Sequence, residues 1–445
     1  MLAMRAFVTS RAAVVGVAAL LSAACHAGPA PQTVVLNSPT ADQLRADINV
    51  LAGPAFEGRG TGTAGNDSAA LFIARRYSAL RLSSFANPER GCASAGVLGK
   101  ADCFVFPFVA SVPVRNGTPR QLKTQNVAAL IPGRGPLASE YVIVGAHFDH
   151  LGRDSANARD PEKGHVIHPG ADDNGSGTIA VLELARRLAR TPTQRSIVIA
   201  NFTGEELGLL GSEQFAGHLP VPKEKVQAMV NLDMIGRMKN DKLIVYGVLT
   251  SPEMKGIVDS ANTAKLTINA VGDGEGPSDH AAFYRKDLPV LHLFTDLHDD
   301  YHTALDTPDK LNIDGVVKVV DYTERVVRAL ADRPAKIAFT RVQTAGNNRP
   351  SERQGSGVYL GSIPDMGAGD VKGMPLSGVR PGSPADQGGL KAGDVIVKFG
   401  GKVIGNIYDY TDALGAHKPG DVVEIVVQRA GKEVTLSVTL GKRGS

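Results

Sequence analysis

The stretch Ser196-Ile197-Val198-Ile199-Ala200-Asn201-Phe202-Thr203-Gly204-Glu205-Glu206-Leu207-Gly208 decides the fold. Its first half is short, apolar and β-branched, as a buried strand of a parallel sheet is. Its second half turns sharply, with glycines at Gly204 and Gly208 and a third just beyond at Gly211. Glu205 and Glu206 therefore fall where a strand runs out, the edge at which open α/β sheets place their sites. Two adjacent carboxylates cannot share one apolar wall without cost. At such a turn they diverge, one free to meet a cation and the other to face a neighbouring water. A solvated acidic turn is the plain alternative, and only the rest of the chain decides between them.

Outward from this stretch, apolar runs and amphipathic stretches alternate. Strands are expected at Phe104–Val109, Asn126–Ile131, Tyr141–Ala146, Ala228–Asp233, Leu243–Tyr246 and Pro289–Phe294. Helices are expected at Ala41–Leu51, 66–82, Thr178–Arg190, near 251–262 and 278–284, and at Ile313–Leu330. The alternation specifies an α/β fold with a mixed, mostly parallel sheet and helices on both faces. Nine of the 11 histidines lie between His147 and His302. His147-Phe148-Asp149 follows a strand directly, so His147 is placed to bind metal while Asp149 accepts a hydrogen bond from its far ring nitrogen. Ala171-Asp172-Asp173-Asn174-Gly175-Ser176-Gly177 precedes a helix, where Asp and Asn also serve as ordinary caps. Asp233 ends an apolar strand, and Tyr301-His302-Thr303 lies beyond the last one. These features and the Glu205-Glu206 turn all fall at one edge of one sheet. Two histidines, two aspartates and one glutamate, with Glu205 spare and no cysteine, suit zinc in a catalytic site. A shared carboxylate would let two ions sit about 3.5–4 Å apart.

The motifs H-F-D, G-A-D-D-N-G-S-G, T-G-E-E-L-G-L-L-G-S, N-L-D-M-I-G and Y-H-T, in that order, resemble the co-catalytic zinc aminopeptidase family that includes bacterial leucyl aminopeptidase and the catalytic domain of glutamate carboxypeptidase. The resemblance implies the zinc exopeptidase fold and two Zn2+ per chain, with Co2+ or Mn2+ as substitutes. It implies that His147 and Asp233 hold one ion, Glu206 and His302 the other, and that Asp172 bridges both. It further implies Glu205 as general base, Asp149 as the group orienting His147, and a cis peptide between Asp172 and Asp173. Peptides with free N-termini are the implied substrates. Ser278, Asp279 and His280 recur near the pocket in similar proteins, either touching substrate or capping a helix. A carboxypeptidase, a glutaminyl cyclase and a metal-free binding scaffold occur on the same fold. The complete ligand set argues against the last two.

The chain's far end is different in kind. Gly357-Val358-Tyr359-Leu360 resembles the carboxylate-binding loop of a PDZ domain, and Val379–Ala385 with Gly389–Ile396 resembles its bacterial, protease-associated form. Such a domain is expected to bind the C-terminal peptide of a ligand by β-augmentation. A domain that merely packs on its neighbour is the alternative.

The 445 residues thus divide into a signal peptide (1–24), a linker (25–40), the peptidase domain (41–330), a polar linker (331–356) and the PDZ domain (357–440). Arg5 and Arg11 precede an apolar run, and Ser22-Ala23-Ala24 ends it with small residues, so export is expected, to the periplasm, the outer membrane or the medium. Leu21–Cys25 resembles a lipobox but carries Ser22 where leucine is usual, leaving lipid on Cys25 and a free soluble form both open. Cys92 and Cys103 bracket a short loop, and a disulfide closing it suits an oxidising compartment. A formal net charge of +3, part of it from Arg5 and Arg11, gives no footprint for nucleic acid.

Overall fold

The structure, a computed structural model, describes residues 40–85, 101–112, 118–153, 158–342, 358–364, 371–380, 382–405 and 407–442. The signal segment, Cys25, Cys92 and Gly357 lie outside these residues, as does most of the second linker. Cys103 is buried and disulfide-bonded.

In the N-terminal part the elements run α1 (Thr40–Leu51), α2 (Ala64–Ala79), β1 (Val105–Val112), β2 (Arg120–Ile131), β3 (Tyr141–His147), α3 (Gly177–Arg190), β4 (Ser196–Phe202) and α4 (Leu210–Gly217). They continue through β5 (Val226–Leu232), β6 (Lys242–Tyr246), α5 (Met254–Ala261), β7 (Thr267–Val271), α6 (His280–Tyr284), β8 (Val290–Phe294) and α7 (Ile313–Asp332). The eight strands form one sheet in the order β1-β2-β4-β3-β5-β8-β6-β7. Its centre, β4-β3-β5-β8, is parallel throughout, while β1, β2 and β6 make antiparallel contacts.

Burial explains why these runs are strands. Every residue of β4 and β5 is buried, because alternate side chains enter cores on opposite faces. Ile197 and Ile199 pack with helices α1, α2, α3, α5 and α7, whereas Val198, Ala200 and Phe202 pack with α4 and α6. The parallel centre brings the C-terminal ends of β3, β4, β5 and β8 to one edge, and every site residue follows from that. Two elements escaped the sequence reading. Strand β7 is an edge strand with only Val271 buried, and α4 is a short helix with little apolar periodicity.

The C-terminal part comprises β9 (Val358–Tyr359), β10 (Ser362–Pro364), β11 (Met374–Val379), α8 (Pro384–Gln387), β12 (Val395–Phe399), β13 (Lys402–Val403), α9 (Ile407–Gly415), β14 (Val422–Arg429), β15 (Lys432–Thr439) and β16 (Gly441–Lys442). Its strands run β10-β11-β12-β14-β15 around a core of Leu360, Leu376, Leu390, Ile396, Phe399, Ile425 and Val427. No helix among the described residues is long and apolar enough to cross a membrane.

Candidate metal centre

Strand β3 ends in His147. Its carbonyl accepts a hydrogen bond from Thr178 Oγ1 at 2.7 Å, so the start of α3 fixes the strand end. His147 Nε2 lies 3.3 Å from Asp233 Oδ1 and 3.6 Å from Asp173 Oδ1. Its Nδ1 approaches the backbone carbonyl of Asp149 at 3.2 Å, while the Asp149 carboxylate stands off at 3.6 Å. Asp149 thus holds the ring chiefly through its main chain. Its carboxylate is engaged elsewhere, accepting from the Glu205 amide at 3.2 Å and from Thr61 Oγ1 at 2.7 Å.

The Glu205-Glu206 turn closes through Gly208 N to Glu205 O at 2.8 Å and Leu210 N to Gly204 O at 2.9 Å. Gly204 sits at φ +73, in the left-handed region where a side chain is disfavoured. The two glutamates diverge as their position requires. Glu206 meets His150 Nδ1 at 2.8 Å and His302 Nε2 at 3.0 Å. Glu205 faces His147, Asp233 and Asp279, and burial raises its carboxyl well above the ordinary range.

The carboxylate shared by two groups of donor atoms is Asp173, where Asp172 was expected. Asp173 joins His147 and Asp233 in one group of donor atoms, and His150 and Glu206 in a second, with the atoms of each group within 4.8 Å of one another. Its Oδ2 is also 3.1 Å from His302 Nε2. Asp172 points away. Its Oδ1 accepts the Gly236 amide at 2.6 Å and its Oδ2 lies 3.1 Å from His298 Nε2. A Cβ at Gly236 would meet Asp172 Oδ1 at 2.7 Å, so glycine is needed for that approach. The cis peptide is likewise Asp173–Asn174, one bond later than expected. Asp306 sets this turn, its Oδ2 accepting both the Asp172 and Asp173 amides at 2.9 and 3.0 Å. Two neighbouring aspartates are indistinguishable in a bare D-D-N string, and only backbone direction separates them.

His150 is the donor that the sequence reading missed. It is the last residue of H-F-D-H, three positions after His147, and nothing in that spacing says that the chain folds back to bring it against Glu206. Ser278 hydrogen bonds to Asp233 Oδ2 at 2.6 Å and accepts from Asn231 Nδ2 at 2.8 Å. It therefore bears on the first group rather than capping α6, whose N-cap is Asp279. The Asp279 carboxyl is fully buried, and burial pushes it up to about 7. His280 lies farther off, stacked on His292 with ring centroids 4.4 Å apart.

These donors fit a pair of divalent ions. Asp173, before α3, Asp233, after β5, and Glu205 and Glu206, after β4, converge at one edge of the sheet. Asp173 Oδ2 and Asp233 Oδ1 are buried without a hydrogen bond of good geometry. Burial opposes charge on His302, yet Glu206 and Asp173 outweigh it and lift its imidazole to about 10. Such an excess of buried carboxylate is costly unless a cation neutralises it, and imidazole with carboxylate is a zinc-type donor set.

In the C-terminal part, Val358, Tyr359 and Leu360 lead into Gly361. The Leu360 carbonyl accepts the Ala385 amide, and the Gly361 carbonyl the Arg380 amide, at 2.8 and 2.9 Å. Ser362 Oγ and Tyr410 Oη, 2.7 Å apart, link β10 to α9.

A sheet that delivers imidazoles and carboxylates from four parallel strand ends defines the zinc exopeptidase class of fold. Residues 126–327 match the model of peptidase family M28 and residues 351–440 match that of the PDZ domain. Leucine aminopeptidase 1 of Trichophyton rubrum is 34% identical over 212 residues, which are 43% of this chain and 54% of that protein. Its namesake in Arthroderma otae shows the same coverage. The chain thus spans about half the length of these curated relatives. Among solved structures, an aminopeptidase from Aneurinibacillus sp. strain AM-1 superimposes with TM-score 0.50 and 17% identity, covering 71% of this chain and 99% of its own. A glutaminyl cyclase from Bacteroides thetaiotaomicron superimposes with TM-score 0.51 and 19% identity, covering 65% and 97%. At these identities the likeness establishes the fold.

Proposed function

We propose that the protein is an exported, two-zinc aminopeptidase that removes N-terminal residues from peptides. The observation that carries this reading is that Asp173 is shared between two triads of donor atoms, His147-Asp173-Asp233 and His150-Asp173-Glu206, with His302 against the second and Glu205 beside both. His147, Asp173 and Asp233 would hold one ion; Asp173, Glu206 and His302, with His150 alongside, would hold the other. A pair of ions held there would supply Lewis acidity toward a scissile carbonyl and a water.

The rest falls to the chain's own groups. Glu205, its amide tied to Asp149 and its carboxyl raised by burial, takes a proton from the attacking water and delivers it to the leaving amine. The carboxylates around the second group attract a substrate's α-ammonium, which favours a free N-terminus. Met234 directly follows Asp233 and Tyr301 directly precedes His302. Both belong to an apolar cluster with Ile244, Val271, Phe294 and Leu297, a wall suited to a large apolar first side chain such as leucine. Export rests on the arginine-flanked apolar N-terminal segment, and the PDZ domain is assigned to a C-terminal peptide ligand.

The test combines zinc content with hydrolysis of matched peptides. About two zinc ions per chain and cleavage of Leu-peptides but not their N-acetylated forms are expected. Cyclisation of an N-terminal glutamine, with no release of leucine, would replace this reading with the cyclase activity.

A further inference from the structure

The loop that carries His302 is clamped by a second segment, residues 158–168, and the PDZ domain grips that segment in turn. The Arg159 amide donates to the His302 carbonyl at 2.8 Å. The Arg159 guanidinium lies 5.5 Å from the Tyr301 ring centroid. One residue on, Asp160 Oδ2 accepts the Ala304 amide at 2.9 Å. The clamp is itself fixed: Asp160 Oδ1 pairs with His168 Nε2 at 3.0 Å, and the His168 amide donates to the Gly152 carbonyl at 2.9 Å. Tyr301, His302 and Ala304 are thus held from one side.

From the other direction, Arg380 Nη1 donates to the Arg159 carbonyl at 3.0 Å. A guanidinium donor makes this a charge-assisted bond, stronger than a neutral one. The same arginine's amide donates to Gly361, the residue after the Val358–Leu360 loop, and its carbonyl accepts the Ser383 amide at 3.1 Å. Arg380 is therefore rooted in the PDZ loop framework while its side chain reaches one peptide unit from His302's support.

We propose that Arg380 is a positioning residue for His302, acting through Arg159, so that the PDZ domain forms part of the framework holding the second donor group. Groups that orient a metal ligand from behind typically change metal affinity 10–100-fold when removed. Arg380 acts at one further remove, so the lower end applies. The inference rests on the two-zinc reading above.

The test is a zinc titration of the full chain against a competing chelator, for the wild type, Arg380→Ala and Arg380→Lys. Arg380→Ala is expected to weaken one of the two zinc ions about tenfold and to leave the other unchanged. Arg380→Lys, which keeps a cationic donor, is expected to restore most of the loss. Amide exchange across 301–306 in the zinc-free protein should quicken in Arg380→Ala alone. Unchanged affinity for both ions would overturn the proposal. Equal weakening of both ions with a lowered unfolding temperature would overturn it too, because that pattern marks a general structural role. A wild type that binds no zinc would instead remove the two-zinc reading itself.

Discussion

Asp172 and Asp173, joined by one peptide bond, serve opposite sides of the same turn: Asp173 Oδ2 lies 3.1 Å from His302 Nε2, whereas Asp172 Oδ1 accepts the Gly236 amide at 2.6 Å. Only the second of the pair can be shared between two ions. Asp173→Asn is expected to lose both zinc ions, and Asp172→Asn to keep them, since its amide oxygen can still accept from Gly236. Metal analysis of the two purified variants decides this, and loss confined to Asp172→Asn would reverse the assignment.

Glu205 stands outside both donor groups but against them. Glu205→Gln is expected to retain zinc and to lower kcat by about 10²–10⁴-fold, the usual contribution of a positioned base. Loss of metal in this variant would show that Glu205 is a ligand and Glu206 the base.

Ser278 pins the free oxygen of Asp233. Ser278→Ala is expected to weaken zinc at the first group by about tenfold, with the fold intact. A chelator competition curve that overlays the wild type would remove Ser278 from the site.

Arg59 is fully buried and donates to the carbonyls of Phe148, Leu51, Pro169 and Gly170. Burial lowers its guanidinium to about 10, so it stays charged at neutral pH. Arg59→Ala leaves buried carbonyls without donors and is expected to cost about 3–4 kcal/mol. Thermal unfolding reads this, and a shift under 1 °C would contradict it.

In the PDZ domain, burial pulls the Asp394 carboxyl upward, but bonds from Arg429 at 2.6 and 2.7 Å and from the Lys391 amide outweigh it and hold the carboxyl below its ordinary value. A lowered folded value means that the unfolded chain takes up the proton first as pH falls. The stabilisation is therefore complete above about pH 4 and drains away below it as pH passes through the folded value. Asp394→Asn should lower the PDZ unfolding temperature at pH 7 and flatten its decline toward pH 3. An unaltered slope in the variant would show that Asp394 is not responsible.

The sequence by itself determined the architecture of the peptidase part and most of its site. Runs such as Ile197–Ala200 are apolar at every position, as suits a strand buried on both faces. The residues that follow such runs emerge at one edge, so His147, Glu205, Glu206, Asp233 and His302 stand out as candidates by position, while their separate roles come from the family resemblance. Tertiary structure decided the rest. Asp173 replaces Asp172 because Asp306 binds both amides of the turn and Gly236 takes up the first carboxylate, contacts made by residues more than 60 positions away. His150 joins Glu206 because the segment after β3 pairs in parallel with Gly60, a contact that no local period encodes. The bond from Arg380 to Arg159 links residues 221 positions apart. A pattern of neighbours along the chain specifies which face a residue shows, but which distant group meets it is set only when the layers pack.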